Sequence, residues 1–392
     1  MVISRARYLA RRFIKPARSK PLLPDNVWGG PEDAPYTFVM VVREGFVAGK
    51  SNANSTIRMA YCRAFEKLGF RYRLVSSFDL GDILPETRNP FIFLSVYDYL
   101  DFGRVTRRNL RRYPHFVWAN PDAPVLREVY SRHGIRPHLL PDSVYGIVSD
   151  SCPVFVWAPA PPSALGAYAK WARAGIPVRS LPQACDTERY YPAPEELDYR
   201  DVQLAFVGGY WPKKAVHFDT YLRPYEDLLT VFGYSKWPYK GYKGLLAEDD
   251  EKVLYQNARL CPAINEPHAE TTGDIVERVY KIMGSGGLAI TDAVHFHREL
   301  FSSDELLIPS SVEEYHEMVH QALLDDSLNR GYRARGFRAI LARHTYSARA
   351  QTIARWLDIS VPDASGHFQP ASLNERATAI PPDSEMAVEE GR

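Results

Sequence analysis

Short apolar runs alternate with amphipathic segments along most of the chain. Apolar runs bounded by Gly, Pro or charged residues are typical of buried strands, whereas apolar residues that recur every three or four positions predict helices. Strands are predicted at 36–42, 72–76, 91–97, 115–119, 144–148, 154–158, 178–181, 202–207, 228–232, 260–264, 288–291 and 306–308. Helices are predicted at 55–68, 163–174, 248–258, 274–283, 312–324, 328–343 and 347–357.

This alternation predicts an α/β fold made of two Rossmann-like halves with parallel sheets. Ligands bind at the carboxyl ends of strands in such sheets, so two facing halves form a cleft. Pro-rich stretches suggest the boundaries, and the last segment has little to bury. The predicted segments are a basic tail and linker at 1–33, a first domain at 34–182, a linker at 183–200, a second domain at 201–345, a closing helix at 346–359 and a disordered tail at 360–392.

Composition excludes several classes of protein. The 392 residues are 45% hydrophobic and 24% charged, as in ordinary globular proteins, and 48 Lys and Arg nearly balance 47 Asp and Glu. This balance argues against a nucleic-acid binder. No apolar run approaches the about 20 residues of a membrane span, and the start lacks a signal-peptide core. The four cysteines are scattered and show no metal-site spacing, so we expect a reducing, cytoplasmic setting.

The first 20 residues are unusually basic. They contain no Asp or Glu. Their basic residues are Arg5, Arg7, Arg11, Arg12, Lys15, Arg18 and Lys20. A weakly amphipathic helix of this charge can lie on an anionic membrane at the cytoplasmic face. A solvated tail and an organelle transit peptide are the alternatives.

The loop after the strand predicted at 202–207 is a candidate phosphate site. Gly208 and Gly209 would let an anion approach the backbone, and Lys214 could neutralise it. The alternative is a tight turn with exposed lysines. Tyr234 and Trp237 follow the next predicted strand, where they would either stack on a base or sugar or pack the domain edge.

A second candidate site is the helix predicted at 274–283. Thr272 and Gly273 are predicted to lie at its start, where free N–H groups would bind a diphosphate. Glu277, Arg278 and Lys281 share one helical face, which either points into the cleft or is a solvated surface with an ion pair.

Two further residues are candidate catalytic groups. Asp98 and His268 each follow a predicted strand, so either could reach the cleft as an acid or base. The alternative for both is a role in capping or turn formation.

The order of several short motifs resembles the C-terminal half of CgeB-like glycosyltransferases, within the GT-B group that includes glycosyltransferase family 4. The likeness covers about residues 176–358. The motifs are LPQACDTERYYP at 181–192, FGYSKW at 232–237, EKVLYQNAR at 251–259, CPAIN at 261–265, ERVY at 277–280 and GGLAITD at 286–292.

The resemblance implies a retaining transferase that takes a sugar from a nucleotide diphosphate donor without a metal or other cofactor. The second domain would bind the donor, the first the acceptor, and the helix at 346–359 would cross back to the first domain. Gly209 and Lys214 would face the diphosphate, and the turn at Gly286 and Gly287 would lie near the donor pocket. The acceptor would be a surface glycan, a glycolipid or a protein. If the enzyme inverts instead, Asp98 is the candidate base.

One position departs from the family pattern. Family 4 enzymes usually carry a ribose-binding glutamate where this chain has Lys281, and Gly273 replaces the acid eight residues earlier. Glu277 is the candidate substitute. An epimerase, a phosphorylase and a degenerate GT-B module with a scaffold role are therefore alternative functions.

The basic tail generates the first prediction. Deletion of residues 1–20 should reduce co-sedimentation with anionic vesicles, because each basic residue near the lipid contributes about 1 kcal/mol. Vesicles of zwitterionic lipid are the control. Equal binding of the full and shortened chains to anionic lipid would dismiss the membrane role.

Overall fold

A seven-stranded sheet forms the first half of the protein. Its strands are β1 (Val27–Gly29), β2 (Thr37–Val42), β3 (Arg71–Ser76), β4 (Pro90–Ser95), β5 (His115–Trp118), β6 (Phe155–Ala158) and β7 (Val178–Ser180). They lie in the order β1-β3-β2-β4-β5-β6-β7, and every neighbouring pair is parallel except β1 with β3. Successive strands reverse their direction of addition between β2 and β4, the kind of position at which open α/β sheets bind ligands.

The computed structural model describes residues 27–42, 53–137, 139–193, 198–247, 249–362, 368 and 369. The predicted basic segment at 1–20 and most of the tail predicted at 360–392 lie outside these residues. Within the predicted N-terminal linker, Val27–Gly29 forms the edge strand β1 instead.

Both faces of the first sheet are buried. Phe38 and Met40 pack into one apolar cluster, whereas Val39 and Val41 pack into another on the opposite face. This arrangement follows from the alternation of side chains along a strand, and it explains why β2 is apolar at nearly every position.

Helices cover this sheet on both sides. They are Ala53–Lys67, Leu80–Ile83, Asp98–Asp101, Arg104–Leu110, Ala123–Arg132, Ser143–Ser149 and Ala169–Arg173, with 3-10 helices at Leu84–Glu86 and Pro162–Tyr168. The strand predicted at 144–148 is wrong, because Val144, Tyr145 and Val148 form the buried side of a helix. Their spacing of one and four positions fits that face.

The second half is built on two parallel strand pairs. β8 (Leu204–Val207) pairs with β9 (Leu229–Phe232), β10 (Cys261–Ala263) pairs with β11 (Ala289–Thr291), and a bridge between Leu204 and Leu260 joins the pairs. The strand predicted at 306–308 supplies only an isolated bridge from Leu307 to Ile290.

The remaining elements follow in order. The helices are Pro212–Tyr221, Asp250–Asn257, Ala269–Thr272, Arg278–Gly284, His297–Leu300, Val312–Leu324, Asp326–Arg343 and Tyr346–Trp356, with a 3-10 helix at Arg223–Tyr225. A short antiparallel pair, β12 (Val361–Pro362) and β13 (Phe368–Gln369), ends the described chain. No helix among the described residues is long and apolar enough to cross a membrane.

The two halves touch closely at Gly273. A Cβ atom there would lie 2.7 Å from Cβ of Ala164 and 2.8 Å from Cδ of Pro161, both in the first domain. The backbone φ of Gly273 is +64°, which also favours glycine. This position therefore sets how near the second domain can approach the first.

The helix Tyr346–Trp356, which we call the return helix, packs on Ala53–Lys67 of the first domain. The rings of Tyr346 and Tyr61 lie 4.9 Å apart in an edge-on contact. The Tyr346 hydroxyl also donates a 2.9 Å hydrogen bond to Oε1 of Glu277 in the second domain. One buried tyrosine thus connects three parts of the chain.

We expect Tyr346→Phe to lower the free energy of unfolding by about 1.5–3 kcal/mol, the usual contribution of a hydrogen bond to a charged group. The midpoint of urea unfolding measures this. Tyr332→Phe is the matched control, since that hydroxyl donates to the neutral carbonyl of Ser303 at the surface. Equal losses in both variants would contradict a special role for the bond to Glu277.

Candidate active site

Three strands of the second domain end at one edge, where Gly208, Asn265 and Asp292 follow them. Asn265 donates from its backbone N–H to Asp292 Oδ2 at 2.9 Å and from its side-chain Nδ2 to Asp292 Oδ1. The Asn265 side-chain oxygen accepts a 2.9 Å bond from the N–H of Val276. This amide therefore closes the loop of residues 266–276, which we call the site loop.

Two histidines complete the surroundings of Asp292. His297 Nε2 lies 3.0 Å from Asn265 Nδ2, and burial lowers the pKa of His297 to about 4. His297 is therefore neutral near pH 7, and its Nε2 accepts a hydrogen bond from the side-chain amide of Asn265. His217 Nδ1 lies 3.7 Å from Asp292 Oδ2. The sequence analysis did not predict that these four residues form one buried group, although Asn265 and Asp292 directly follow predicted strands.

Arg278 is held against the ends of two strands. Its Nε donates to the carbonyl of Val207 at 2.8 Å, and its Nη1 donates to that of Ile264 at 3.3 Å. The guanidinium lies 4.2 Å from the centre of the Phe206 ring. A Cβ atom on Gly208 would lie 2.6 Å from Nη2 of Arg278. The structure thus brings together two predicted site residues, Gly208 and Arg278.

The loop at Gly209 lies beside an exposed aromatic pair. A Cβ atom on Gly209 would lie 2.7 Å from the hydroxyl of Tyr234. Tyr234 is 55% exposed, and its ring lies 5.4 Å from that of Trp211, which is 45% exposed. Trp237 is buried in the domain core and donates from Nε1 to the carbonyl of Gly208 at 2.8 Å. It therefore supports the loop, while Trp211 is an exposed partner that the sequence analysis missed.

Lys214 pairs with a carboxylate of the site loop. Its Nζ lies 3.3 Å from Oε1 of Glu266, while Oε2 of Glu266 accepts a 2.9 Å bond from the hydroxyl of Tyr130 in the first domain. His268 Nδ1 lies 2.9 Å from the same hydroxyl, and its Nε2 lies 3.5 Å from Oδ2 of Asp274. Burial would raise the pKa of Glu266, but Lys214 and His268 lower it to about 2. The structure thus places Lys214 and His268 in one charged cluster between the domains.

Lys281 lies in a separate buried network. Its Nζ is 3.1 Å from Glu277 Oε2, and Glu277 also accepts bonds from Thr56 at 3.3 Å and Tyr346 at 2.9 Å. Burial alone would lower the pKa of Lys281, but the carboxylates of Glu251 and Glu277 raise it above its usual value. Arg278 and Lys281 therefore do not share a ligand-facing surface as the helix pattern suggested.

The helix predicted at 274–283 begins at Arg278 instead. Gly273 ends the short helix Ala269–Thr272 through its left-handed conformation, and Thr272 is buried with its hydroxyl donating to the carbonyl of His268 at 2.9 Å. Thr272 and Gly273 therefore lie at the end of a helix, and they do not supply the free N–H groups of a helix start that the predicted diphosphate site requires.

The turn at Gly286 and Gly287 lies at the amino end of β11. Gly286 faces Pro192, and Gly287 is packed against the backbone of Tyr255. In a parallel sheet, a turn from a helix into a strand lies at the edge opposite the ligand edge. These glycines shape the junction with the linker rather than the predicted donor pocket.

Asp98 is fully buried in the first domain. It accepts a 2.6 Å bond from the backbone N–H of Ser95 and lies 4.0 Å from the guanidinium of Arg58. These contacts are typical of a buried ion pair, which is costly to break. The role of Asp98 as a general base stays a prediction. Among the described residues, no group of three or more His, Cys, Asp and Glu side chains is arranged to hold a metal ion.

Comparison with known protein families gives a match in the second half of the chain. Residues 194–355 match the family described as "Glycosyl transferase-like". No curated protein matches the chain in sequence. This match covers the second domain and the return helix, and it confirms the prediction of a glycosyltransferase.

Solved structures match over both domains. Sucrose-phosphate synthase from Thermosynechococcus elongatus is 13% identical, covers 82% of this chain and 98% of its own, and has a TM-score of 0.59. HepE from Anabaena in complex with UDP-glucose is 10% identical, covers 82% and 99%, and has a TM-score of 0.56. The α,α-trehalose 6-phosphate synthase from Burkholderia multivorans is 9% identical, covers 83% and 96%, and has a TM-score of 0.53. At these identities the likeness shows the fold, and it confirms the predicted GT-B architecture.

We expect Asn265→Ala to lower the free energy of unfolding by roughly 2–4 kcal/mol, because the buried carboxylate of Asp292 loses a partner and the site loop loses its closing bond. Hydrogen exchange at the N–H of Val276 should accelerate. Asn257→Ala is the control, since Asn257 donates to the carbonyl of Asp198 near the surface. Unchanged exchange at Val276 would contradict the bracing role.

Proposed function

We propose that this protein transfers a sugar from a nucleotide diphosphate donor to an acceptor bound by the first domain. The observation that carries the proposal is the position of two cations beyond the carboxyl ends of β8 and β10: Arg278 lies beside Gly208, and Lys214 pairs with Glu266. This is the edge at which α/β domains bind ligands. The glycosyl transferase-like family match at 194–355 supports the same reaction class.

The donor's diphosphate would lie over Gly208 and Gly209. The absence of side chains there lets Nη2 of Arg278 and the hydroxyl of Tyr234 lie directly against the loop backbone, where both could donate to phosphate oxygens. Lys214 adds a second cation from the helix Pro212–Tyr221. Burial lowers the pKa of Lys214, so this desolvated ammonium gains more from an anion than a surface lysine would.

The exposed Trp211–Tyr234 pair would stack on a ring of the donor. Aromatic faces beside an anion site fix orientation while the charges fix position. One structural neighbour, HepE from Anabaena, was solved with UDP-glucose, so UDP-sugars are the first donors to test.

The chemistry would need no metal ion. Arg278 and Lys214 would stabilise the charge that develops on the leaving diphosphate, the task that a cation performs elsewhere. We propose retention of configuration, with His268 as the catalytic group near the cleft because it contacts Tyr130 of the opposite domain.

The acceptor would be a surface glycan, a glycolipid or a protein, as in polysaccharide biosynthesis. The protein would work in the cytoplasm, with residues 1–20 contacting the membrane.

The burial of Lys281 favours a second candidate function. The expected ribose-binding carboxylate is absent there, and Glu277 is engaged by Lys281, Thr56 and Tyr346. A degenerate GT-B module with a scaffold role would tolerate this arrangement. Such a protein should bind neither UDP nor GDP in calorimetry.

The proposal predicts that Lys214→Ala lowers kcat/KM for the donor by about 10²-fold or more, the usual loss when one preorganised charge-stabilising donor is removed. A thermal-shift panel of nucleotide sugars identifies the donor first, since a ligand at 100 times its Kd adds about 2.7 kcal/mol of stability. Steady-state turnover of the two proteins then gives the ratio.

Lys240→Ala is the control for this variant. Lys240 is an exposed lysine that pairs with Asp227 at 3.1 Å, outside the cluster at the cleft. It should leave kcat/KM unchanged. If no nucleotide sugar in a broad panel binds or turns over, the transferase proposal fails and the scaffold function stands.

A further inference from the structure

We propose that Glu266 is an internal competitor of the donor diphosphate: it occupies Lys214 while the site is empty and is displaced when the donor binds. The inference rests on the proposed function, because the competing anion is the donor's diphosphate. It makes Glu266 a residue that sets affinity for phosphate-bearing ligands, although no sequence motif pointed to it.

The first support is the contact itself. Lys214 Nζ lies 3.3 Å from Oε1 of Glu266, and the Lys214 side chain is only 13% exposed. A lysine that is largely removed from water needs an anion, and Glu266 supplies it. Two anions that share one ammonium repel each other, so each weakens the pairing of the other. A diphosphate that reaches Lys214 therefore competes with the carboxylate for the same cation.

The second support is that Glu266 has other partners to keep. Its Oε2 accepts a bond from Tyr130 at 2.9 Å and lies 3.6 Å from Nδ1 of His268. Displacement from Lys214 therefore does not leave the carboxylate buried and unpaired. Because the pKa of Glu266 is about 2, it stays ionised at neutral pH and leaves Lys214 by movement rather than by protonation.

The third support is the position of Glu266 in the site loop. It directly follows Asn265, whose side chain holds both Asp292 and Val276. The backbone at the start of the loop is thus fixed, and the competition is confined to the side chain.

A ligand without phosphate does not use Lys214, so Glu266 should not affect its binding. A nucleoside diphosphate must displace the carboxylate and should bind more weakly than the site otherwise permits. The same competition would help the nucleoside diphosphate product to leave.

Isothermal calorimetry with UDP and with uridine tests this. Glu266→Gln keeps the size of the side chain but removes the charge, so UDP should bind roughly tenfold more tightly, as expected for the loss of one charged contact. Uridine affinity should not change. In the double variant Lys214→Ala/Glu266→Gln, the gain should disappear relative to Lys214→Ala alone.

Glu299→Gln is the matched control, because Glu299 also contacts the first domain, through Ser163, at an exposed position. It should leave UDP affinity unchanged. Tyr130→Phe is the second variant, and it keeps the proposal testable if Glu266→Gln does not fold. It removes the hydroxyl that would keep the displaced carboxylate paired, so UDP should bind more weakly than to the unaltered protein, by up to about tenfold, while uridine affinity stays the same. Unchanged UDP affinity in Tyr130→Phe would overturn the competitor role.

The outcomes separate the two proposals. If the unaltered protein binds no nucleoside diphosphate, the proposed function fails and the competitor role fails with it. If the unaltered protein binds UDP but Glu266→Gln binds it equally or more weakly, only the competitor role is overturned, and Glu266 is then a bystander or a direct ligand contact. A gain for uridine as large as that for UDP would also overturn it.

Discussion

The bond between Asn265 and Asp292 is the constraint on which the candidate site depends. These residues end two adjacent parallel strands, so their side chains meet at one edge, and both are fully satisfied while buried. The side-chain oxygen of Asn265 accepts a hydrogen bond from the N–H of Val276 and so closes the site loop. The loop delivers Glu266 to Lys214 and leads the chain into Arg278. Without this brace, the loop would be held only by its contacts with Lys214 and with the first domain at Tyr130 and Ala164.

A second principle is the separation of two kinds of charge. Lys214 and Arg278 lie beyond the carboxyl ends of β8 and β10, where the donor would bind in the proposed function. Lys281 instead lies between Glu251 and Glu277, and its charge is compensated inside the protein. Glu277 in turn accepts hydrogen bonds from Thr56 of the first domain and from Tyr346 of the return helix. The departure from the family pattern at Lys281 therefore accompanies a buried ion pair that links both domains, since a lone buried cation would be costly.

Much of the fold was predictable because it depends on local patterns. Apolar runs such as 37–42 and 204–207 are strands in the structure, and the amphipathic stretch at 312–324 is a helix with those bounds. Local patterns failed where two periods compete over few residues, as at Ser143–Ser149. The helix predicted at 274–283 starts later, at Arg278, because Gly273 adopts a left-handed conformation against the first domain. That cause is a tertiary contact, which no window of sequence contains.

The sequence by itself determined most of the succession of strands and helices, the two-domain α/β architecture and the position of Gly208 at a strand end, because each follows from hydrophobic period and chain order. Only the tertiary structure decided which side chains meet. It buried Trp237, exposed Trp211, turned Lys281 away from Arg278 and set Glu266 against Lys214. The physical reason is that pairing and burial of charge depend on elements far apart in the chain, and their approach is settled by packing between domains rather than by local spacing.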